Sequence, residues 1–198
     1  MTWTGENPIR EWLRRTGAWL AGLVGLGRRR KPALRLPGWA QVRRKRHAHI
    51  RRVAALVVEW AEAMEVSAHE RSRWLAAVWL HDALRDAPLP DGASHAVAAA
   101  ERAAEEGERD RGVLDAVRYH SVGYAGWDDV GRMLYLADNL EPGRRGRRKE
   151  RAKQAKRVPR ERDDVLREVV QREMEDRLRE GRPIDPLTIA FWNSLAGR

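Results

Sequence analysis

The sequence contains no cysteine. Disulfides and thiolate metal sites are therefore excluded, and the composition fits a reducing, cytoplasmic setting. Any metal must be held by imidazole and carboxylate, donors that suit iron, manganese, zinc or cobalt better than copper(I) or an iron–sulfur cluster. A long apolar run is missing too. The most apolar stretch, residues 17–27, falls short of the roughly 20 residues that a membrane span needs. Charge ahead of it and Arg28-Arg29-Arg30-Lys31 behind it argue against a cleavable signal peptide. Strand-like alternation is absent as well, so the expected fold class is all-α.

What is present is room for one domain and an uneven charge. A chain of 198 residues can bury a real core and still carry peripheral segments. Residues 1–46 hold 12 Lys/Arg against 2 Asp/Glu, a balance of 12 − 2 = +10, while the remainder holds 27 of each sign. A basic excess on one tail points to anionic partners such as nucleic acid or phospholipid headgroups. Abundant Arg and Ala with little Lys also marks a GC-rich genome, so the high isoelectric point is set aside as a functional signal.

The chain divides into a basic, Trp-containing N-terminal extension, residues 1–38, and a main body, residues 39–198. In the extension Ile9, Trp12, Leu13, Leu20, Leu23 and Val24 share one helical face. That face either docks on the body or lies in an anionic membrane surface, and Pro32, Pro37 and Gly38 form a linker after it. In the body, helices are expected over a core of residues 41–143. The first has Ile50, Val53, Val57, Trp60, Ala61 and Met64 in helical period. The second opens with Ser67 and Glu70 as a capping box and buries Trp74, Leu75, Val78 and Trp79. A third stops at Gly107, a fourth carries Val113, Leu114 and Val117 and ends at His120, and a fifth closes at Pro142-Gly143. Residues 144–160 read as a basic linker. C-terminal helices fill residues 161–198, with Val165, Leu166, Val169, Val170, Met174 and Leu178 on one and Asp185 with Pro186 opening the last.

The placement of the six histidines is more informative than their number. His81 and Asp82 end an otherwise apolar helix, and an ionised carboxylate beside a buried stripe is costly unless a cation compensates it. His49 shares the face of Val53 and Trp60, whereas His47 lies about 200° around the helix and should point outward. Asp138 is embedded among Leu134, Leu136, Ala137 and Leu140. His120 closes a helix before a glycine-containing loop, His95 sits in a first turn, and His69 reads as solvated. Any one of these is ordinarily a satisfied structural residue. Four imidazoles and two acids at apolar faces or helix ends, across five successive helices, would require several independent coincidences.

At this point the chain resembles the HD superfamily of metal phosphohydrolases, with its His…His-Asp…Asp signature. More narrowly it is similar to the YqeK-type symmetrical diadenosine tetraphosphate hydrolases. The resemblance rests on Arg46-x-x-His49-x-x-x-Val53, on Trp79-Leu80-His81-Asp82, and on His95 before an Ala-rich helix. It rests also on Ala116-Val117-Arg118-Tyr119-His120-Ser121-Val122-Gly123 and on Tyr135-Leu136-Ala137-Asp138-Asn139-Leu140-Glu141-Pro142-Gly143-Arg144. Pro186-Leu187-Thr188-Ile189 with Trp192-Asn193 adds a weak match. Arg85 stands where the family usually has Lys, which keeps the charge and changes its geometry. His120-Ser121-Val122-Gly123 replaces the common His-Thr-Thr-Gly.

The resemblance implies an HD-domain helical bundle. It implies two metal ions, iron by family habit, with manganese or another divalent first-row ion acceptable. His49, His81, Asp82 and Asp138 would hold one ion, and His95 and His120 the second, with Asp82 bridging and acting, with Arg85, in catalysis by metal-activated water. Arg85, Ser121 and Arg144 are the implied substrate contacts, and the implied reaction is hydrolysis of diadenosine tetraphosphate to two ADP. Within the superfamily the alternative substrates are a nucleoside monophosphate, an alarmone or a cyclic nucleotide. Outside it stands a non-catalytic nucleic-acid-binding protein using the basic tail and residues 144–160, which would leave the buried acids unexplained. Trp60, Trp74 and Trp79 have core spacing, and Trp127 is the one tryptophan placed to stack on a base.

Overall fold

The structure, a computed structural model, describes residues 35–196. The amphipathic face expected in residues 8–26, with its docking, membrane and nucleic-acid readings, lies outside the described residues. Among the described residues there are seven helices and no strands: α1 (Arg44–Ala63), α2 (Ala68–His81), α3 (His95–Glu105), α4 (Arg111–Tyr119), α5 (Asp129–Leu140), α6 (Arg148–Arg179) and α7 (Pro186–Ala196). None is long and apolar enough to cross a membrane.

The helices start where side chains satisfy their free N–H groups. Ser67 Oγ accepts from Glu70 N, Asp110 Oδ1 from Val113 N, and Asp128 Oδ1 from Val130 N, at 3.0–3.1 Å. One guanidinium ties these starts together. Arg73, on α2, donates to Glu70 in its own first turn, to Asp110 at 2.7 Å and to Asp128 at 2.6 Å. The N-termini of α4 and α5 are thereby pinned to the flank of α2.

The core follows the apolar stripes. Ile50, Val53, Val57 and Trp60 of α1 turn inward, and α5 is the central helix, with every residue from Met133 to Leu140 buried. It packs against α1, α2, α4 and α6. Because α3 presents Ala98, Ala99, Ala100 and Ala103, small side chains let it lie close on α4. Trp79 differs from expectation: it sits at the edge of its stripe, half-buried, with its ring 6.5 Å from that of His47. Leu178, expected on a buried stripe, is exposed at the end of α6.

Residues 144–160, expected as a basic linker, are helical from Arg148 onward. The helix does not run straight. Glu161 departs from helical geometry (φ −132°, ψ 38°), two residues after Pro159. Yet Arg147 pairs with Asp176 at 2.9 Å and Arg172 donates to Gln154 at 2.7 Å. Twenty-nine residues of straight helix would span about 43 Å, so α6 is a hairpin of two arms that reverses near Glu161. Acids of the second arm, Glu168 and Asp176, meet Arg157 and Arg147 of the first. Such pairing makes a helix of a stretch whose composition alone suggests a solvated linker.

Proline at 159 has no N–H to give the carbonyl of Ala155 four residues back. That carbonyl instead accepts from Trp60 Nε1 at 2.9 Å, so the buried indole of α1 satisfies the group that the proline orphans. Replacing Trp60 by Phe should destabilise the fold by about 1–3 kcal/mol, the cost of a buried unpaired carbonyl. In W60F/P159A the restored backbone N–H should return part of that loss. Chemical denaturation of the two single variants and the double variant measures the coupling, and strict additivity would show that the indole–carbonyl bond carries none of the stability.

Candidate metal centre

The centre is built on the end of α2. Asp82 is the C-cap residue, 4% exposed, and its carboxylate divides between two groups. Oδ2 lies 3.4 Å from His81 Nε2 and 3.7 Å from His49 Nε2, while Oδ1 lies 3.3 Å from His95 Nε2 and 3.6 Å from His120 Nε2. Asp138 Oδ1, from α5, comes within 3.1 Å of His49 Nε2. Two triads result, His49–His81–Asp138 and Asp82–His95–His120, each with its candidate ligand atoms within 4.8 Å of one another. All six side chains singled out as ligands from the sequence thus meet in one place, with Asp82 between the triads. His47 and His69 are exposed and stand apart.

Local structure fixes how the imidazoles point. His81 Nδ1 lies 2.7 Å from the Val78 carbonyl, and His120 Nδ1 lies 2.8 Å from the Val117 carbonyl, three residues back in each case. A carbonyl only accepts, so each Nδ1 carries the hydrogen and each Nε2 presents a lone pair toward Asp82. The helix ends of α2 and α4 act here as identical holders. His49 uses a carboxylate instead: its Nδ1 donates to Glu141 Oε1 at 3.1 Å. Arg52 holds Glu141 from the other side, and Gly143 N donates to the same carboxylate at 2.6 Å.

The electrostatics of the site turn on its two buried carboxylates. Burial alone would raise the Asp82 carboxyl, but the imidazoles of His81, His120 and His95 gathered on it hold it below the usual carboxylate range. Asp138 is likewise held down against burial, by His49 and by the Arg144 charge. Glu141 is kept at about 2, where bonds from His49 and Arg52 outweigh burial. His49 moves the other way: burial lowers it, yet Asp138 and Glu141 leave it raised. His95 is lowered, by burial first and also by the Arg85 charge. The Nε2 atoms of His49 and His81 are buried without a hydrogen-bond partner although carboxylate oxygens stand beside them. Lone pairs set against carboxylates need a positive centre between them, and an all-nitrogen-and-oxygen donor set fits a first-row divalent ion.

Three residues at the site carried no role in the sequence reading. Arg46 donates to Asp82 Oδ2 at 2.7 Å, while Glu141 and Arg52 brace His49. Their signal was spacing: Arg52 follows His49 by three residues and Glu141 follows Asp138 by three, one helical turn along the same face. The expected substrate contacts are distributed around the centre. Arg85 is exposed with its guanidinium 2.9 Å from His95 Nδ1, Ser121 is exposed with Oγ 3.2 Å from His120 Nε2, and Arg144 reaches Asp138 Oδ1 at 2.6 Å. Trp127, the expected stacking residue, is instead buried. Its Nε1 donates to the Asp115 carbonyl and its ring meets Phe191 edge-on at 5.1 Å.

The C-terminal helix belongs to the site's support. Thr188 Oγ1 donates to the Val122 carbonyl at 2.7 Å, and the ring of Phe191 closes on Gly123, whose φ of +89° suits glycine. Both contacts hold the loop that follows His120.

Residues 46–143 match the family described as HD domain. No curated protein matches the chain. Among solved structures the chain is similar to a protein described as a predicted HD superfamily hydrolase involved in NAD metabolism from Clostridium acetobutylicum. The TM-score is 0.68 at 21% sequence identity, over 78% of this chain and 90% of that one.

Replacing Glu141 by Gln removes the charge that orients and polarises His49 while keeping the side chain's shape. Metal affinity should fall about 10–100-fold, measured by titrating metal into chelator-stripped protein. Unchanged affinity would mean that Glu141 only braces the turn after α5.

Proposed function

The chain belongs to the HD-domain family through residues 46–143, and from that premise we propose that it is a metal-dependent phosphohydrolase which cleaves diadenosine tetraphosphate at its central anhydride, giving two ADP. The observation that carries the reading is the single Asp82 carboxylate set between two groups of clustered ligands. His49, His81 and Asp138 would hold one ion, His95 and His120 the other, with Asp82 touching both. Bound there, a pair of ions, iron by resemblance and manganese or another divalent ion by chemistry, would supply an activated water and neutralise the charge of the attacked phosphate.

The arginines support a substrate that extends to both sides of the centre. Arg85 stands beside His95 of one triad and Arg144 beside Asp138 of the other, so each triad has its own guanidinium group. A polyphosphate chain running between two nucleosides would meet one at each side and gain bidentate contacts there. Ser121, exposed beside His120, is suited to a further phosphate oxygen. The role in NAD metabolism attributed to the Clostridium hydrolase favours a nucleotide substrate in general. A nucleoside monophosphate, an alarmone or a cyclic nucleotide is therefore the second reading. A non-catalytic nucleic-acid-binding role leaves the two buried acids and their oriented imidazoles without a purpose.

Elemental analysis of protein purified without chelator, joined to a nucleotide panel with product identification, tests the proposal. ADP as sole product from diadenosine tetraphosphate is expected, whereas AMP plus ATP would defeat symmetrical cleavage. Arg85→Ala and Arg144→Ala should each lower kcat/KM on the order of 100-fold. Full activity in both variants would remove the arginines from phosphate recognition.

A further inference from the structure

A cavity of about 300 Å³ lies between α1, the turn after α5 and the first arm of α6, next to the metal centre on the side of Glu141 and Arg144. None of the six candidate metal ligands lines it. Its apolar part is made by Leu56, Leu140, Pro142 and Ala155, and its polar part by Arg144, Arg148, Arg151 and Lys156. The acids on its wall are Glu59 and Glu141, and Glu141 is already engaged by His49, Arg52 and Gly143 N. Such a volume is at the small end of ligand sites, the size of a nucleotide rather than of a macromolecular segment.

The charges around this cavity are arranged against the local helix. The first arm of α6 starts at Arg148 after Arg147, whose side chain makes no capping bond. A helix N-terminus carries a partial positive charge and favours anions. Here Arg148, Lys149 and Arg151 stand in the first turn with Glu150 as the sole acid. Arg151 spends Nη1 on the carbonyls of Arg145 and Gly146, but its Nε is buried without a partner. Cations crowded at the positive end of a helix, one with an unpaired buried donor, amount to a local conflict of the kind that accompanies a functional site. The N-terminal extension is a poor occupant, because residues 1–34 hold 7 Lys/Arg against 2 Asp/Glu and would be repelled by the basic wall.

We propose that this cavity is a second binding site, for an organic phosphate of mononucleotide size whose apolar body rests on Leu56, Leu140, Pro142 and Ala155 while its phosphate meets Arg148, Arg151 and Lys156. The apolar floor requires a body and not a bare anion, and the basic wall requires the anion. Arg144 stands on the border between this site and the metal centre, lining the cavity while bonded to Asp138.

Titration calorimetry on the full-length, metal-loaded protein tests the assignment with AMP, adenosine and inorganic phosphate as probes. AMP should bind, and adenosine and phosphate should each bind at least tenfold more weakly. Ala152→Trp fills the cavity from its wall and R148E/K156E reverses its charge; each should weaken AMP binding at least tenfold, with thermal melting establishing that the variants fold. AMP affinity unchanged in the folded variants would place the nucleotide elsewhere and overturn the site. Equal binding of inorganic phosphate and AMP would overturn the role of the apolar floor and reduce the cavity to an adventitious anion trap. Neither variant touches any of the six candidate metal ligands, so a loss of AMP binding at unchanged metal content reports on this cavity and not on the hydrolase assignment.

Discussion

The structure depends on a buried carboxylate that cannot be left alone. Asp82 sits at the end of an apolar helix with almost no access to water, and an uncompensated charge in such a place costs several kcal/mol. Arg46 meets part of that demand with a hydrogen bond of 2.7 Å, and the fold gathers round the carboxylate His49 of α1, His81 of α2, His95 at the start of α3, His120 just past α4 and a second acid, Asp138 of α5, a set that a metal cation would complete. Because the two oxygens of one carboxyl face different triads, the same group that creates the electrostatic demand also joins the two halves of the centre.

Precision at the centre comes from backbone geometry more than from side-chain crowding. His81 and His120 are each tied to a carbonyl one turn earlier, so the direction of the lone pair is settled by where a helix stops. His49 lies mid-helix and has no free carbonyl beneath it. It needs a carboxylate from a distant segment, Glu141, which Arg52 and Gly143 in turn hold still. Around this, Arg73 binds the starts of α4 and α5 to α2, and Thr188 with Phe191 fastens the loop after His120. The parts of the chain farthest from the ligands in sequence thus keep them in register.

Much of the site could be read without coordinates, and particular residues show why. His49 and Asp138 each occupy an apolar helical face, so periodicity alone carries them inward. Two helix starts were equally plain, since Ser67 and Asp185 are local caps that need no tertiary partner. Trp127 departs from expectation for the opposite reason. Closeness in sequence to the loop after His120 says nothing about the direction of a ring, and the apolar surface of α7 claims it. Residues 144–160 look like a linker in the sequence because their neutralising acids, Glu168 and Asp176, become neighbours only after the chain reverses.

The all-helical class, the helices over residues 41–143, the inward placement of His49 and Asp138 and the absence of thiolate chemistry followed from the sequence by itself, because each depends on composition or on spacing along one helix. The division of Asp82 between two triads, the clamp of Glu141 on His49, the hairpin in α6 with its carbonyl rescued by Trp60, and the basic cavity beside it were decided only by tertiary structure. Each joins groups many residues apart, and no local rule of periodicity or capping reaches across that distance.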